Sequence, residues 1–320
     1  MVAVSAWLAD VTERALALAA TDNTILVTWN VNATSLTRRE PWRSRMEEDF
    51  GCPSSSCPVL NLCCSEAIAS RYSMHIYQGK VRALSKLVEA LAVRAPATDI
   101  VFIDGRDVSW AGCGPAPMRH PLRGLRRALA QLRAASNASI FFGAELNPME
   151  CVGPNGCAVP RVPEWAMAAC PRRLPVPCVE SQLKRSARSM ATKAADGTRR
   201  CDPQFLNSGT YAGSAAALAP MLRWVQSNFG YHGVRSDQGV FCAWWLMHQG
   251  AVALDYCALL ASNLNAVAPS AYSRADADGR VVRYLGGETC LLHDNGDLGR
   301  CRKACVPSWR KGLERERSNE

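Results

Sequence analysis

Asp104 and Asp107 stand three residues apart at the end of the run Asp99-Ile-Val-Phe-Ile-Asp-Gly-Arg-Asp107. Two carboxylates aimed at one spot repel each other unless a cation lies between them. In the sharper of two readings they hold a divalent metal that in turn holds a diphosphate. In the plainer one Asp104 caps a turn and Asp107 is a second, solvated side chain. The run from Ile100 to Ile103 has the apolar, β-branched character of a strand covered on both faces. Gly105 permits a tight turn after it. Such a turn points both carboxylates beyond the carboxyl end of the strand, where open α/β sheets bind ligands.

Four more segments carry side chains able to do chemistry. Phe142-Gly-Ala-Glu145 puts a carboxylate just past a strand, and Phe205-Leu-Asn-Ser-Gly-Thr-Tyr211 reads as a polar turn between apolar flanks. Ser236-Asp-Gln238 opens a helix, with Ser236 or Asp237 as its cap. His293-Asp-Asn-Gly-Asp297 follows a short strand. Each has an ordinary structural reading as well: caps for Glu145 and Asp237, turn residues for Asn207 and Asn295, a satisfied core histidine for His293.

The elements that must position these groups alternate. Thr24–Trp29 reads as a first buried strand, and Val81, Leu84, Leu87, Val88 and Leu91 recur at helical spacing within 78–93 before Pro96 stops them. Further helices are expected over 122–135, 218–229 and 238–249, with strands over 139–144, 252–256 and 289–293. Strands alternating with helices mean an α/β fold with a mainly parallel sheet. Residues 1–20 read as a short amphipathic helix or a leader, 21–309 as one domain, and 310–320 as a solvated tail. Loop insertions are expected at about 38–66 and 146–203. Neither GxGxxG nor GxxxxGK[ST] occurs, so a nucleotide would not be held in the Rossmann or P-loop manner.

The 320 residues, 48% hydrophobic and 20% charged, suffice for a full core and argue against wholesale disorder. No apolar run reaches the roughly 18–20 residues of a membrane span. The net charge of +9 is spread over three groups, Arg38–Arg45, Arg119–Arg133 and Lys184–Arg200, with few aromatics interleaved, so nucleic acid is not the expected partner. An anionic small substrate accounts for the charge as well. Fifteen cysteines, many in Pro/Gly/Ser-rich stretches such as Cys52-Pro-Ser-Ser-Ser-Cys57, look like disulfide staples made in an oxidising compartment. Zinc would need close pairs, whereas Cys52/Cys57, Cys151/Cys157 and Cys301/Cys305 are irregularly spaced. The sequons Asn32-Ala-Thr and Asn137-Ala-Ser suit the same compartment. Asp10, Glu13 and Arg14 interrupt any signal-peptide core near the start, so a truncated or processed N-terminus is expected.

Taken in order, D-x-x-D after a strand, F-x-A-E, L-N-S-G, D-Q-x-x-F and H-x-N-G resemble the glycosyltransferase domain of the procollagen lysyl hydroxylases and its GT-A relatives, over about 25–296. Gln78-Gly-Lys-Val-Arg-Ala-Leu84 is also similar to the lysine-bearing helix start of that family. The resemblance implies a GT-A fold, a UDP-sugar donor, Mn²⁺, and transfer of glucose or galactose to a hydroxyl, with hydroxylysine or galactosyl-hydroxylysine on protein as acceptors. It also implies a secretory-pathway lumen. Residue by residue it implies Asp104, Asp107 and His293 as metal ligands. Lys80 falls near the donor phosphates and Thr28 near the nucleotide. Asn295 and Gly296 fall at the diphosphate, Asn207 faces the sugar, and Asp237 or Glu145 is the catalytic carboxylate. The chain departs from the family at Arg106, which replaces an aromatic and would leave uracil stacking to a guanidinium. It departs again at Ser236, where an acidic run has shrunk, and at Asn147-Pro-Met-Glu-Cys151. Two other classes stay open at this stage: a GT-A-like module that binds glycan or protein without turnover, and a zinc-clustered nucleic-acid binder.

Overall fold

The computed structural model describes residues 2–29, 59–62, 76–104, 107–113, 121–147, 160–170, 174–184, 191–229, 236–274 and 282–293. The chain begins with helix α1 (Val2–Asp22), strands β1 (Thr24–Trp29) and β2 (Val59–Asn61), and helix α2 (Ile76–Arg94). Next come β3 (Asp99–Asp104), β4 (Val108–Trp110), α3 (Pro121–Ser136), β5 (Ile140–Glu145) and a short helix α4 (Glu164–Ala169). Three short strands follow, β6 (Val176–Pro177), β7 (Thr192–Lys193) and β8 (Arg199–Cys201), and then the long β9 (Phe205–Ser214), α5 (Ala215–Ser227) and α6 (Asp237–Met247). The last elements are β10 (Val252–Asp255), β11 (Ala261–Asn263), β12 (Tyr272–Arg274), β13 (Val282–Tyr284), β14 (Gly287–Glu288) and β15 (Leu291–His293).

Six strands form the central sheet in the order β10-β5-β9-β3-β1-β2. The β1/β2, β1/β3 and β10/β5 pairs are parallel, and β9 runs antiparallel to both of its neighbours. The α/β architecture with a mainly parallel sheet is therefore as expected. Strands buried on both faces account for the continuous apolar runs. Along β1, Ile25, Val27 and Trp29 enter one core cluster with residues of α1, α2, α5 and α6. Leu26 enters a second cluster, under Leu125 and Leu129 of α3. In β3, Ile100 and Phe102 join the first cluster, and Val101 and Ile103 the second.

The amphipathic spacing of α2 does what it promised: Val81, Leu84, Leu87, Val88 and Leu91 are all fully buried. Val11, Ala15 and Ala19 of α1 are buried in the same cluster, so this helix packs against the sheet. The arginines of α3 hold elements together. Arg133 makes a two-pronged pair with Asp99, Arg127 pairs with Glu288, and Arg126 donates to the Asp22 carbonyl at 3.0 Å. Much of that basic group is thus engaged in contacts between elements.

Three expectations change. The stretch 205–211 is not a turn but the start of β9, the strand that joins the two halves of the sheet; packing on both faces overrides its Asn-Ser-Gly composition. The expected insertion at 38–66 contains an edge strand, β2, and a further strand, β4, follows the turn after β3 where none was expected. Both have three residues, too few for a periodic pattern to show. Residues 38–58 and 63–66, the stretches 148–159, 171–173 and 185–190 of the second expected insertion, and the tail 310–320 lie outside the described residues.

Three disulfides join described cysteines: Cys113–Cys290, Cys170–Cys257 and Cys178–Cys201. All six would otherwise have been candidates for zinc, and among the described residues no cysteine cluster that could hold a metal is found. No described helix is long and apolar enough to cross a membrane.

Candidate metal centre

Asp104 ends β3, and Asp107 begins the turn into β4. β4 leaves the central sheet and pairs antiparallel with β15, whose other neighbour is β11. In that register His293 lies opposite Val108, and hence beside Asp107, although the two are far apart in the chain. The Cys113–Cys290 bridge fastens the far end of the same pair, and the Ala111 amide donates to the Cys290 carbonyl at 2.7 Å. Ligand atoms of Asp104, Asp107 and His293 all come within 4.8 Å of one another. The geometry brings together the three residues expected to ligate a metal.

The central sheet makes room for them. Between Phe142 and Gly143 the β5/β9 register shifts, so that Tyr211 faces Phe142 while Asn207 faces Gly143. Ser208, Gly209 and Thr210 of β9 are left unpaired on the β5 side, a bulge of the sort that re-aims backbone beside sites. Gly209 becomes the floor under the imidazole. A methyl group placed there would overlap Cε1 of His293 and stand 2.7 Å from its Nε2 and 3.0 Å from Asp104 Oδ2.

Beside the acidic pair sits Lys80, in the first turns of α2 and 4% exposed. Its Nζ lies 3.1 Å from Asp104 Oδ1 and 2.5 Å from Asp237 Oδ2, at the start of α6. Burial would depress the ammonium pKa, but the two carboxylates outweigh it and raise the value above that of ordinary lysine. Burial also pushes the Asp104 carboxyl upward. Lys80 opposes this, Asp237 and Asp107 add to it, and the net shift is upward. For Asp107 burial is overcome by the hydrogen bond and charge of His293, and its pKa falls. The imidazole responds in kind: burial would lower its pKa, but Asp107 first, then Asp104 and Glu145, raise it. His293 Nε2 is 3.4 Å from Asp107 Oδ1.

Glu145 is buried at the end of β5, and both of its oxygens accept from amides: Oε1 from Gln238 Nε2 at 2.6 Å and Oε2 from Asn207 Nδ2 at 3.2 Å. Asn207 Oδ1 in turn accepts from the Gly209 amide at 2.8 Å and Gln238 Oε1 from the Ser208 amide at 3.4 Å. This network stakes down the bulge. Under it lies an aromatic layer of Phe102, Tyr211, Phe142 and Phe241, with centroids 4.8–5.4 Å apart, and Lys80 Nζ is 5.4 Å from the Phe102 centroid. That layer excludes water on one side and strengthens every charge interaction above it.

Thr28 is placed differently. Strand alternation gives it the face of Leu26, toward α3, whereas Asp104 shares the face of Phe102, toward α2. Its hydroxyl is fully buried and has no partner among the described residues. Arg106, Asn295 and Gly296 lie outside the described residues. Ser236, one of two candidate caps of α6, accepts from the Gly239 amide at 3.2 Å and is the cap. Gly209, Gln238 and Asn263 were not singled out as site residues. Gln238 stood inside the D-Q motif, whereas Asn263 ends a three-residue strand in which Ser262 is polar too, and had no signal of its own. A separate cleft of about 590 Å³, lined by residues such as Leu132, Trp165, Leu259 and Leu285, contains no titratable side chain and none of these residues.

No family model matches the chain, and no curated protein matches it. Among solved structures it is similar to the crystal structure of mouse Xyloside xylosyltransferase 1 in its apo form, at 12% identity, covering 87% of this chain and 99% of that one, with a TM-score of 0.38.

Proposed function

We propose that the protein is a divalent-metal-dependent glycosyltransferase of GT-A architecture that takes a hexose, glucose or galactose, from a UDP-sugar and places it on a hydroxyl acceptor. The observation that carries this reading is the convergence of Asp104, Asp107 and His293 from two different sheets onto one point at the carboxyl end of β3. Two carboxylates and one imidazole are a donor set that suits Mn²⁺. Gly209 beneath them has the open side that a ligated imidazole requires. Asp104, Asp107 and His293 would hold the ion, which when bound supplies positive charge to a diphosphate leaving group.

The remaining residues have work of their own. Lys80, kept charged by its two carboxylates, offers a fixed cation on the α2 side of the site, where donor phosphate oxygens would lie. We assign Asp237 the role of the carboxylate that faces the sugar or the acceptor hydroxyl, a reading supported by its pairing with Lys80 beside Asp104. Glu145, with both oxygens engaged, orients Asn207 and Gln238 and so shapes the sugar side. Protein-bound hydroxylysine or galactosyl-hydroxylysine is the acceptor class we assign from the order of the sequence motifs. The disulfides fit folding in the lumen of the secretory pathway.

The test is UDP release from a panel of UDP-sugars, with Mn²⁺ or with chelator, on protein made in an oxidising host. Metal-dependent release from one donor is expected. If no donor is turned over and UDP with Mn²⁺ leaves the melting temperature unmoved, the proposal is wrong. A melting shift without turnover would instead favour a binding module on the same scaffold.

A further inference from the structure

Asn263 ends β11, beside His293 in the parallel β11/β15 register, and is 4% exposed. Its Nδ2 lies 2.8 Å from the carbonyl oxygen of Ala144, and its Oδ1 lies 2.7 Å from His293 Nδ1. A main-chain carbonyl can only accept, so the amide nitrogen must face Ala144 and the amide oxygen must face the ring. An amide oxygen can only accept as well, so His293 Nδ1 must carry a hydrogen. In the neutral ring the lone pair is then on Nε2, the nitrogen that faces Asp107 and lies against Gly209 with Asp104. Gly143 of β5 leaves the space: a methyl group there would stand 2.7 Å from Asn263 Nδ2.

We infer that Asn263 is a positioning residue that locks His293 in its Nδ1–H tautomer and turns its Nε2 lone pair toward Asp104 and Asp107. It does so by tying the small β11/β15 sheet to Ala144 at the end of β5, one residue before Glu145. The metal ligand and the buried carboxylate network are thereby held in one frame. This deepens the metal-site reading, and the consequence for affinity rests on that reading; the tautomer does not.

The test has two arms. In metal-free protein with ¹⁵N-labelled histidine, at alkaline pH where the ring is neutral, the signal lost in His293→Gln identifies His293. A protonated Nδ1 and a bare Nε2 are expected; a protonated Nε2 overturns the inference whether or not any metal binds. In the second arm Mn²⁺ binding is measured by titration for Asn263→Ala and Asn263→Asp. The alanine variant should lose about ten- to hundredfold in affinity, the usual cost of removing an outer partner of a ligating histidine. Asn263→Asp keeps an acceptor for Nδ1–H but loses the donor to Ala144, and should lose clearly less Mn²⁺ affinity than the alanine variant. If Asn263 served only to join the strands, the aspartate variant would fall as far as the alanine one, and the inference fails. Absence of Mn²⁺ binding in wild type would refute the metal reading and leave the tautomer arm to decide.

Discussion

Replacing Gly209 by alanine adds one methyl group at the floor of the candidate metal centre. Gly209 is not among the glycines with left-handed backbone, so alanine meets no backbone penalty there and the whole effect is steric. The methyl would overlap His293 Cε1 and crowd Asp104 Oδ2 at 3.0 Å, where ordinary contact begins near 3.4 Å. The imidazole has little freedom to retreat, since Asn263 holds its Nδ1 and the residue is 2% exposed. Overpacking of this kind costs about 1–3 kcal/mol. At about 2–4 °C per kcal/mol for chains of 150–250 residues, that is a fall of several degrees in melting temperature. Mn²⁺ affinity should fall with it, because the ring can escape only by leaving Asp104 and Asp107. Scanning calorimetry and Mn²⁺ titration measure the two effects. Gly250→Ala, with nothing within 4 Å of the added methyl, is the control and should be neutral within about 0.5 kcal/mol. In a His293→Ala background the destabilisation by Gly209→Ala should shrink, since the clashing partner has gone. A Gly209→Ala protein that melts and binds Mn²⁺ like wild type would refute the reasoning. One that is destabilised equally with and without His293 would place the strain elsewhere in β9.

Asp104→Ala or Asp107→Ala should abolish Mn²⁺-dependent donor turnover while the far-ultraviolet circular dichroism stays that of the folded protein; unchanged turnover would remove the metal assignment. Lys80→Met leaves Asp104 and Asp237 facing each other without their cation, and should cost about 3–5 kcal/mol at neutral pH, read by denaturant titration. Mildly acid pH should restore part of that loss. Mn²⁺ binding should weaken as pH falls through the raised pKa of His293, because the ion must displace a proton, and should level off above it. In the metal-free protein the sign is opposite: the His293–Asp107 pair stabilises fully below the unfolded histidine pKa of about 6.5 and is lost as pH rises through the folded one. Cys113→Ser/Cys290→Ser should destabilise by about 2–5 kcal/mol and weaken Mn²⁺ binding more than Cys178→Ser/Cys201→Ser does, since only the first bridge fastens β4 to β15.

The main helices and the long apolar strands could be read directly from the pattern, because α2 and α3 keep one apolar stripe and β1, β3 and β5 each carry a continuous buried apolar run. Strand direction could not. Periodicity of burial is the same for parallel and antiparallel neighbours, so β9, which reverses the sheet at its centre, left no mark of its direction in the pattern. Its Asn207-Ser-Gly209 stretch also mimics turn composition for a reason that only the packing explains. Gly209 is small because a histidine lies on it, and Asn207 is polar because Glu145 accepts from it.

The site divides in the same way. Asp104 and Asp107 stand out locally, since a short spacing after an apolar strand is a statement about one place in space. His293 could be joined to them only through the order of motifs, because its meeting with Asp107 depends on β4 leaving the central sheet to pair with β15. Cys113–Cys290 fastens one end of that pairing, and Asn263 holds the His293 ring at the other. The carboxylates belong to the rigid strand end and its turn, whereas the imidazole arrives on a three-residue strand of a separate small sheet. A ligand set assembled from two sheets is only as well aligned as the contacts between them. Among the polar contacts described, Asn263 to Ala144 is the one that joins the histidine's sheet directly to β5. On this proposal, the residue that aligns the candidate metal centre is one with no chemistry of its own to announce it. Its amide bridges a carbonyl and a ring nitrogen, and its effect should appear in Mn²⁺ affinity and in the His293 tautomer before it appears in overall stability.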